Sequence, residues 1–508
     1  MDQNNGGIIG KINTPTTSVA SGVWSLDSQF ESQSGSTWPL AFPQVTLANA
    51  CRFNAASSDS LTRTFGTPTN NKIWTYSFWM KHCDNAGVLL NTGADTSYMY
   101  FRGSSASPVP FGFSVEQYVG SFQYKLIPNE VFRDHSAWQH IVIAFDTTQS
   151  TASDRAKIYK NGSQITSFNS EDYPSQNLDT QVNSAVAHKI GGFASSGFYD
   201  GYLTEVIFVD GQQLTPTSFG AFNPVSNIWE PRPYAGTYGN NGFKLNFTDS
   251  SNLGDDTSGN GNDFTVNNLT SLDQSTDTCS NNFATLNPLN VPSSNQPTFS
   301  DGNLTSITNS STGSYKWGGC STIGVTSGKW YCEAKATVDS TYSRNVIGIT
   351  GNATELARTN ASILNATYSW GYYSSNGTVQ GNGSGDISGY NTSYTTGDII
   401  GVAMDLDNNK LYFSKNGTFL NSGDPTSGST GTGAISIVAA STTTDGAYFF
   451  AQTDDTGTSS PSKFEFNFGS PPYSISSGNA DANGFGNFEY AVPSGYFALN
   501  TKNLAEFG

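Results

Sequence analysis

The sequence predicts an all-β protein built from two related β units in tandem. Three observations carry that expectation. One motif occurs twice, as "WQHIVIAFDTTQSTASDRAKIYKNG" at 138–162 and "GDIIGVAMDLDNNKLYFSKNG" at 397–417. Many short alternating runs, rich in β-branched and aromatic residues, surround each copy. The composition fits strands joined by polar turns, with 53 Gly and 13% aromatic residues against only 12% charged.

Each copy of the motif has the same grammar. An apolar run ends in Asp (Ile141 to Asp146; Ile399 to Asp405). After a polar turn, Lys157-Ile158-Tyr159 or Lys410-Leu411-Tyr412 opens a short strand that ends in Lys-Asn-Gly. Asn-Gly reaches positive φ at little cost, so it closes a tight turn. One such hairpin is common in β proteins, but two copies about 250 residues apart point to two domains of related architecture.

Composition excludes several classes. The net charge is −17, with 40 Asp+Glu against 23 Lys+Arg and no basic run, which argues against binding a nucleic-acid backbone. No apolar run approaches the roughly 20 residues of a membrane helix, and the N-terminus lacks the pattern of a signal peptide. The expectation is a soluble chain made without secretion. Cys51, Cys83, Cys279, Cys320 and Cys332 are odd in number and lack zinc spacing, so they read as reduced and mostly buried.

In chain order, residues 1–44 read as an N-terminal docking segment, extended and then briefly helical. Val23, Leu26 and Phe30 fall on one face of a short helix, with Trp24 and Trp38 flanking it. A piece this small cannot bury those side chains alone, so Trp24, Leu26, Phe30 and Trp38 are docking candidates. The alternative is an arm lying on the first domain.

Residues 45–232 form the first β unit. "IWTYSFWMK" alternates strictly, "VLLNTG", "SYMYFRG" and "FGFSVEQ" are further strands, and "FYDGYLTEVIFVDGQQLTPTSF" reads as a strand pair. Together with "AWQHIVIAFD" and "KIYKNG", these motifs resemble the laminin-G-like branch of the concanavalin-A-like lectin/glucanase superfamily. The resemblance implies a jelly-roll sandwich of two antiparallel sheets.

Residues 233–297 read as an Asn/Asp/Gly-rich connector packing on the first domain. Asp255, Asp256, Asn260, Asn262 and Asp263 crowd oxygen atoms into a Gly-bearing loop. Calcium is the cation such oxygens suit, which makes Asp255, Asp256, Asn260 and Asp263 metal candidates. "DTSGNGND" also resembles a loop that lies near calcium in laminin-G-like proteins. The competing reading is a plain Asx/Gly turn without metal, and no other cofactor is indicated.

Residues 298–475 form the second β unit. "GKWYCEAKAT", "NVIGIT", "YSWGYYSSNG", the second hairpin and "FEFNFG" follow in an order that resembles a SPRY domain. That resemblance implies a second concanavalin-like sandwich, which would explain the repeated hairpin, and a binding module with loops at one end. Residues 476–508 are a C-terminal segment with a short aromatic strand and a Pro-Ser-Gly turn.

Catalysis finds little support in these residues. A retaining glycosidase needs two carboxyl groups about 5–5.5 Å apart, and the superfamily's Glu-x-Asp-x-x-Glu string is absent. Glu205 and Asp210 lie five steps apart on one strand, hence on opposite faces. Asp134-His135 has no nucleophile elbow to accompany it. The expectation is a binding protein, not an enzyme. Trp370, Tyr372, Tyr373 and Asn376, with Tyr342 and Arg344 in another loop, are the candidates for an aromatic sugar platform. The competing reading is that these rings fill the sandwich.

The "IIGKINTPTTSVASGVWSLDSQF" head, "VFRDHSAWQH", "DTSGNGND" and the "PSGYFALNTKNL" tail together resemble virion proteins of tailed bacteriophages. The resemblance implies a structural role on a virion, as a tail fibre or tail-associated receptor-binding protein whose outward sandwiches bind host-surface glycans. A capsid decoration or head-fibre protein is the alternative. The expected partners are other virion proteins, a host glycan and further copies of the chain, without nucleic acid or membrane insertion.

Overall fold

A computed structural model describes residues 45–508 apart from 84–85, 94, 104–107, 225, 310–315, 338–344, 365 and 456–460, together with Asp27, Ser28 and Ser32, all three helical. The docking candidates Trp24, Leu26, Phe30 and Trp38 lie outside the described residues.

The chain forms two jelly-roll sandwiches in tandem. In the first, one sheet runs in the order Ser163–Gln164, Ala156–Lys160, Gln139–Asp146, Ile73–His82, Gly201–Asp210, Ala50–Phe53 and Gln274–Ser275. The facing sheet runs Phe168–Asp172, Ser121–Pro128, Phe113–Val119, Ser97–Phe101, Gly87–Thr92, Ala187–Ile190, Ser60–Thr64 and Thr265–Asn267. Alternation along Ile73–His82 sends Trp74, Tyr76, Phe78 and Met80 between the sheets, where they meet Met99, Phe101, Val115 and Leu126. The opposite face of that strand is buried too. Trp79 packs there with Trp138, Tyr202 and Trp229.

Of the connector expected at 233–297, the part up to Ser275 is woven into this sandwich, while Phe283, Ala284 and Leu286 pack with the second. Phe243–Leu245 pairs with Gly201–Asp210, Thr265–Asn267 with Ser60–Thr64, and Gln274–Ser275 with Ala50–Phe53. The strand pair expected across 198–219 is a single strand, Gly201–Asp210, followed by a 3-10 turn at Pro216–Ser218. Pro216 has no N–H to give a ladder, and Gly211 turns the chain at φ +89.

The second sandwich repeats the plan. One sheet runs Thr298–Ser300, Thr305–Ile307, Lys463–Asn467, Lys329–Ala336, Ile399–Asp405, Lys410–Lys415 and Thr418–Phe419. The other runs Lys316–Cys320, Phe449–Asp454, Asn345–Thr350, Ser369–Tyr373, Val379–Gly381 and Ser384–Ile387. Trp330, Cys332, Val402, Met404, Ile347, Ile349, Phe464 and Phe466 fill the space between them. Phe497–Ala498 adds a short parallel pairing to Trp330-Tyr331. A helix over Thr501–Phe507 follows, capped by Asn500, whose side chain accepts from Asn503 N–H.

The two hairpins correspond bond for bond. Asn161 and Asn416 both hold positive φ, at 47 and 48. The Asn161 backbone N–H donates to His140 O at 2.8 Å, and that of Asn416 donates to Ile399 O at 2.8 Å. Each Asn Oδ1 then accepts the N–H of the same strand residue, from His140 at 2.8 Å and from Ile399 at 2.9 Å. Each following glycine lies under an aromatic ring. A Cβ on Gly162 would sit 2.4 Å from Trp229, and one on Gly417 would sit 2.5 Å from Tyr490.

The sandwiches are bolted together by a polar junction. Lys81, 1% exposed, donates to Asp277 Oδ2 at 2.8 Å, Asn282 Oδ1 at 2.8 Å and Phe283 O at 2.9 Å. Asp277 Oδ1 accepts from Trp138 Nε1 at 2.9 Å and from Phe283 N–H at 3.2 Å. Arg52 reaches Pro471 O at 3.2 Å, and the Tyr202 hydroxyl donates to Gly302 O at 2.9 Å. Every donor of the Lys81 ammonium is thus satisfied, which a buried charge requires.

Candidate functional site

The aromatic platform expected in the second sandwich is core. Trp370 is 3% exposed and Tyr372 fully buried, both between the sheets. The Trp370 ring presses on Gly381, where a Cβ would come within 2.0 Å of it, and packs edge-on to Tyr448 at 5.9 Å. The Tyr372 hydroxyl donates to Thr392 O. Tyr373 points the other way, as strand alternation demands, but a second layer covers it: the helix Ala353–Thr359 and the turn carrying Ile363 and Leu364. Asn376 is exposed, and its Oδ1 is engaged by Thr378 N–H at 3.1 Å and Thr378 Oγ1 at 2.9 Å in a local turn. Trp370, Tyr372 and Tyr373 are therefore packing residues, not a sugar platform. Tyr342 and Arg344 lie outside the described residues.

The calcium candidates form a self-satisfied turn. Asp256 Oδ1 accepts from Lys244 N–H and Ser258 N–H, each at 2.9 Å. Its Oδ2 accepts from Asn262 N–H and Ser258 Oγ, each at 2.8 Å. Asp263 Oδ1 accepts from Asp256 N–H at 2.9 Å. Asn260 turns its amide nitrogen, not its oxygen, to its partners, donating to Gly239 O and Gly242 O at 2.8 Å. No three Asp, Glu, His or Cys side chains converge among the described residues. Asp256, Asn260 and Asp263 do not fit a calcium cradle, since the loop's own N–H and amide groups take the place of the cation, and Asp255 alone gives a cation no convergent ligands.

Three further acids are likewise committed. Asp210 accepts from Thr69 N–H, Asn70 N–H, Asn241 N–H and Asn183 Nδ2 at 2.6–3.1 Å. Glu205 pairs with Lys244 at 3.0 Å at a β-bulge, with φ 46. Asp134 is engaged by Ser136 in a turn.

Ser77 Oγ lies 2.9 Å from His140 Nε2, which looks like a nucleophile and its base. The surroundings reverse those roles. Trp229 Nε1 donates to His140 Nδ1 at 3.0 Å, so the neutral ring carries its proton on Nε2 and donates to Ser77. Burial also drives the His140 pKa down to about 3. The pair is therefore arranged with the ring as donor to Ser77, the reverse of a nucleophile and its base.

Sequence reading missed the exposed aromatic tip of one hairpin. Tyr118, Val119 and Phe122, at the turn between Phe113–Val119 and Ser121–Pro128, are 47%, 50% and 45% exposed. The signal was the Gly120 turn between aromatic residues in "QYVGSFQYK".

With this geometry in view, the chain can be set beside known proteins. Residues 306–435 match the SPRY domain family. The match covers the central strands of the second sandwich, from Thr305–Ile307 to Ile435–Ser436. Among solved structures, the chain is similar to the SPRY domain of human HERC1, at 16% identity over 36% of this chain and 96% of that one, with a TM-score of 0.27. A Bacteroides ovatus ATCC 8483 protein described as carbohydrate binding aligns at 17% identity over 44% of this chain and 59% of that one, with a TM-score of 0.32. The native heptameric SAP-like pentraxin of Limulus polyphemus aligns at 13% identity over 37% and 94%, with a TM-score of 0.26. No curated protein matches the sequence.

Proposed function

We propose that this chain is a structural protein of a tailed-phage virion, a tail fibre or tail-associated receptor binder that presents two sandwiches to host-surface glycans. The observation that carries the reading is the junction. Lys81 to Phe283 O, Arg52 to Pro471 O and Tyr202 to Gly302 O tie two lectin-like sandwiches into one body, with Asp277 and Asn282 neutralising the buried ammonium. Such a body offers surfaces rather than a reactive centre. The head and tail motifs that resemble phage virion proteins supply the setting. The acidic charge of −17 fits a partner other than nucleic acid, and no helix among the described residues is long and apolar enough to cross a membrane.

The experiment is location. Antibody against the purified chain, applied to intact particles and to separated heads and tails, should label tails. Labelling of heads alone would move the protein to capsid decoration, and no labelling of any particle would end the reading.

A further inference from the structure

Three of the eight large apolar residues exposed among the described residues, Tyr118, Val119 and Phe122, share one hairpin tip. A bulge makes them neighbours. Gln117 pairs with Tyr124, but Tyr118 pairs with Phe122, so Gln123 is the extra residue. The slip turns Phe122 away from the core, which Tyr124 enters, and onto the solvent face beside Tyr118. The two rings meet edge to face with centroids 5.1 Å apart, and Lys125 Nζ lies 4.4 Å from the Phe122 centroid.

The same sheet face continues the row. Tyr98 pairs with Glu116 in register and donates its hydroxyl to Glu116 Oε2 at 3.0 Å. Tyr118 is two residues beyond Glu116 on the same face, which puts Tyr98 and Tyr118 on a cross-strand diagonal of about 7–8 Å. Phe193 meets the Tyr98 ring at 5.3 Å. The row therefore runs Phe122, Tyr118, Tyr98 across three adjacent strands about 4.8 Å apart, and Phe193, from the loop after Ala187–Ile190, ends it. The rings meet edge to face in two pairs, Tyr118 with Phe122 and Tyr98 with Phe193, which limits the freedom each pair has left to lose on binding.

We infer that this row is a binding strip for a neutral glycan chain, its rings stacking against the apolar faces of successive pyranoses. The inference rests on the reading of the chain as a glycan-facing surface protein, and it names the class of sugar. Charge selects the occupant. The cross-strand neighbours of Lys125 are Glu116 and Asp172, and Lys189 donates to Phe193 O at the other end, so the strip carries both signs within a chain of net charge −17, whose overall field is acidic. An anionic polysaccharide would be repelled. A second copy would bring two chains of net charge −17 together, which costs association. Sugar hydroxyls suit the carboxylate and amide groups of Asp172 and Gln123.

Calorimetric titration with cellohexaose, laminarihexaose and mannohexaose, with an alginate hexamer as the anionic arm, tests the strip. At least one neutral hexamer should bind. Tyr118→Ala and Phe122→Ala should each weaken it tenfold or more with an unchanged melting temperature, while Phe222→Ala, exposed elsewhere, should leave it intact. Binding of none of the neutral hexamers, binding of alginate alone, or neutral binding that survives both tip variants overturns the inference. So does a wild-type oligomer that the tip variants dissolve into monomers in gel filtration. None of these outcomes touches the labelling of particles, which decides the virion reading separately.

Discussion

Replacing Trp370 by Ala should cost about 3–5 kcal/mol in urea unfolding, the usual toll for emptying a large aromatic site in a core. Any loss of ligand binding in that variant should follow the unfolded fraction. A variant that keeps wild-type stability would place Trp370 outside the core. Its strand was legible in the sequence, but its depth was not. The residues that enclose it, Gly381 and Tyr448, come from other strands. Phe122 shows the opposite failure. Read by simple alternation, Phe122 shares the buried face of Tyr124, and only the bulge at Gln123 turns it outward. Bulges carry no reliable residue signature, so a one-residue slip of this kind hides from pattern reading.

The Lys-Asn-Gly hairpins were the most legible elements, because turn chemistry and strand periodicity lie within about 25 residues of sequence. What the sequence hid was the ring over each glycine, since Trp229 and Tyr490 both lie about 70 residues from the turns they cover. Gly417→Ala combines a left-handed φ of +78 with a collision against Tyr490, and should lower stability by about 1–3 kcal/mol. Gly162→Ala should do the same beneath Trp229. Thermal melts of the two variants check this. If both melt as wild type does, the rings are not fixed over the turns. The Thr501–Phe507 helix was missed although Asn500 is a good N-cap, because seven residues show too little periodicity to announce a helix.

Over the whole molecule, the two sandwiches should answer pH in opposite senses. All four histidines lie in the first sandwich, and burial lowers every one: His82 and His140 to about 3, His188 to about 4, and His135 in the same direction. Their contribution is fully present above the unfolded value near 6.5 and is lost as pH falls toward 3. Asp59, raised by burial to about 6, opposes them in part. In the second sandwich, burial raises Glu333 to about 7 although it accepts the Glu489 and Tyr490 N–H groups. Its contribution is present below about 4.5 and is lost as pH rises through 7. Hydrogen exchange at pH 5 and pH 8 should therefore show the first sandwich loosening at the lower value and the residues around Glu333 at the higher; parallel changes in both would refute this. The junction was the feature least legible in sequence, because Lys81 and Asp277 are 196 residues apart and nothing local marks either. Lys81→Met should cost about 3–5 kcal/mol by leaving the Asp277 carboxylate buried without its cation. Adding Asp277→Asn should recover part of that loss; strict additivity would show that the pair does not interact.

The paired turns also bear on chemical ageing. Asn-Gly is the dipeptide most prone to deamidation, which requires the glycine nitrogen to attack the asparagine side-chain carbonyl. At Asn161 and Asn416 that carbonyl oxygen is held by a strand N–H, and the following glycine is shielded by a ring. Deamidation at these two sites should keep pace with unfolding, so mass spectrometry of stored samples would read them as clocks of how often each hairpin opens.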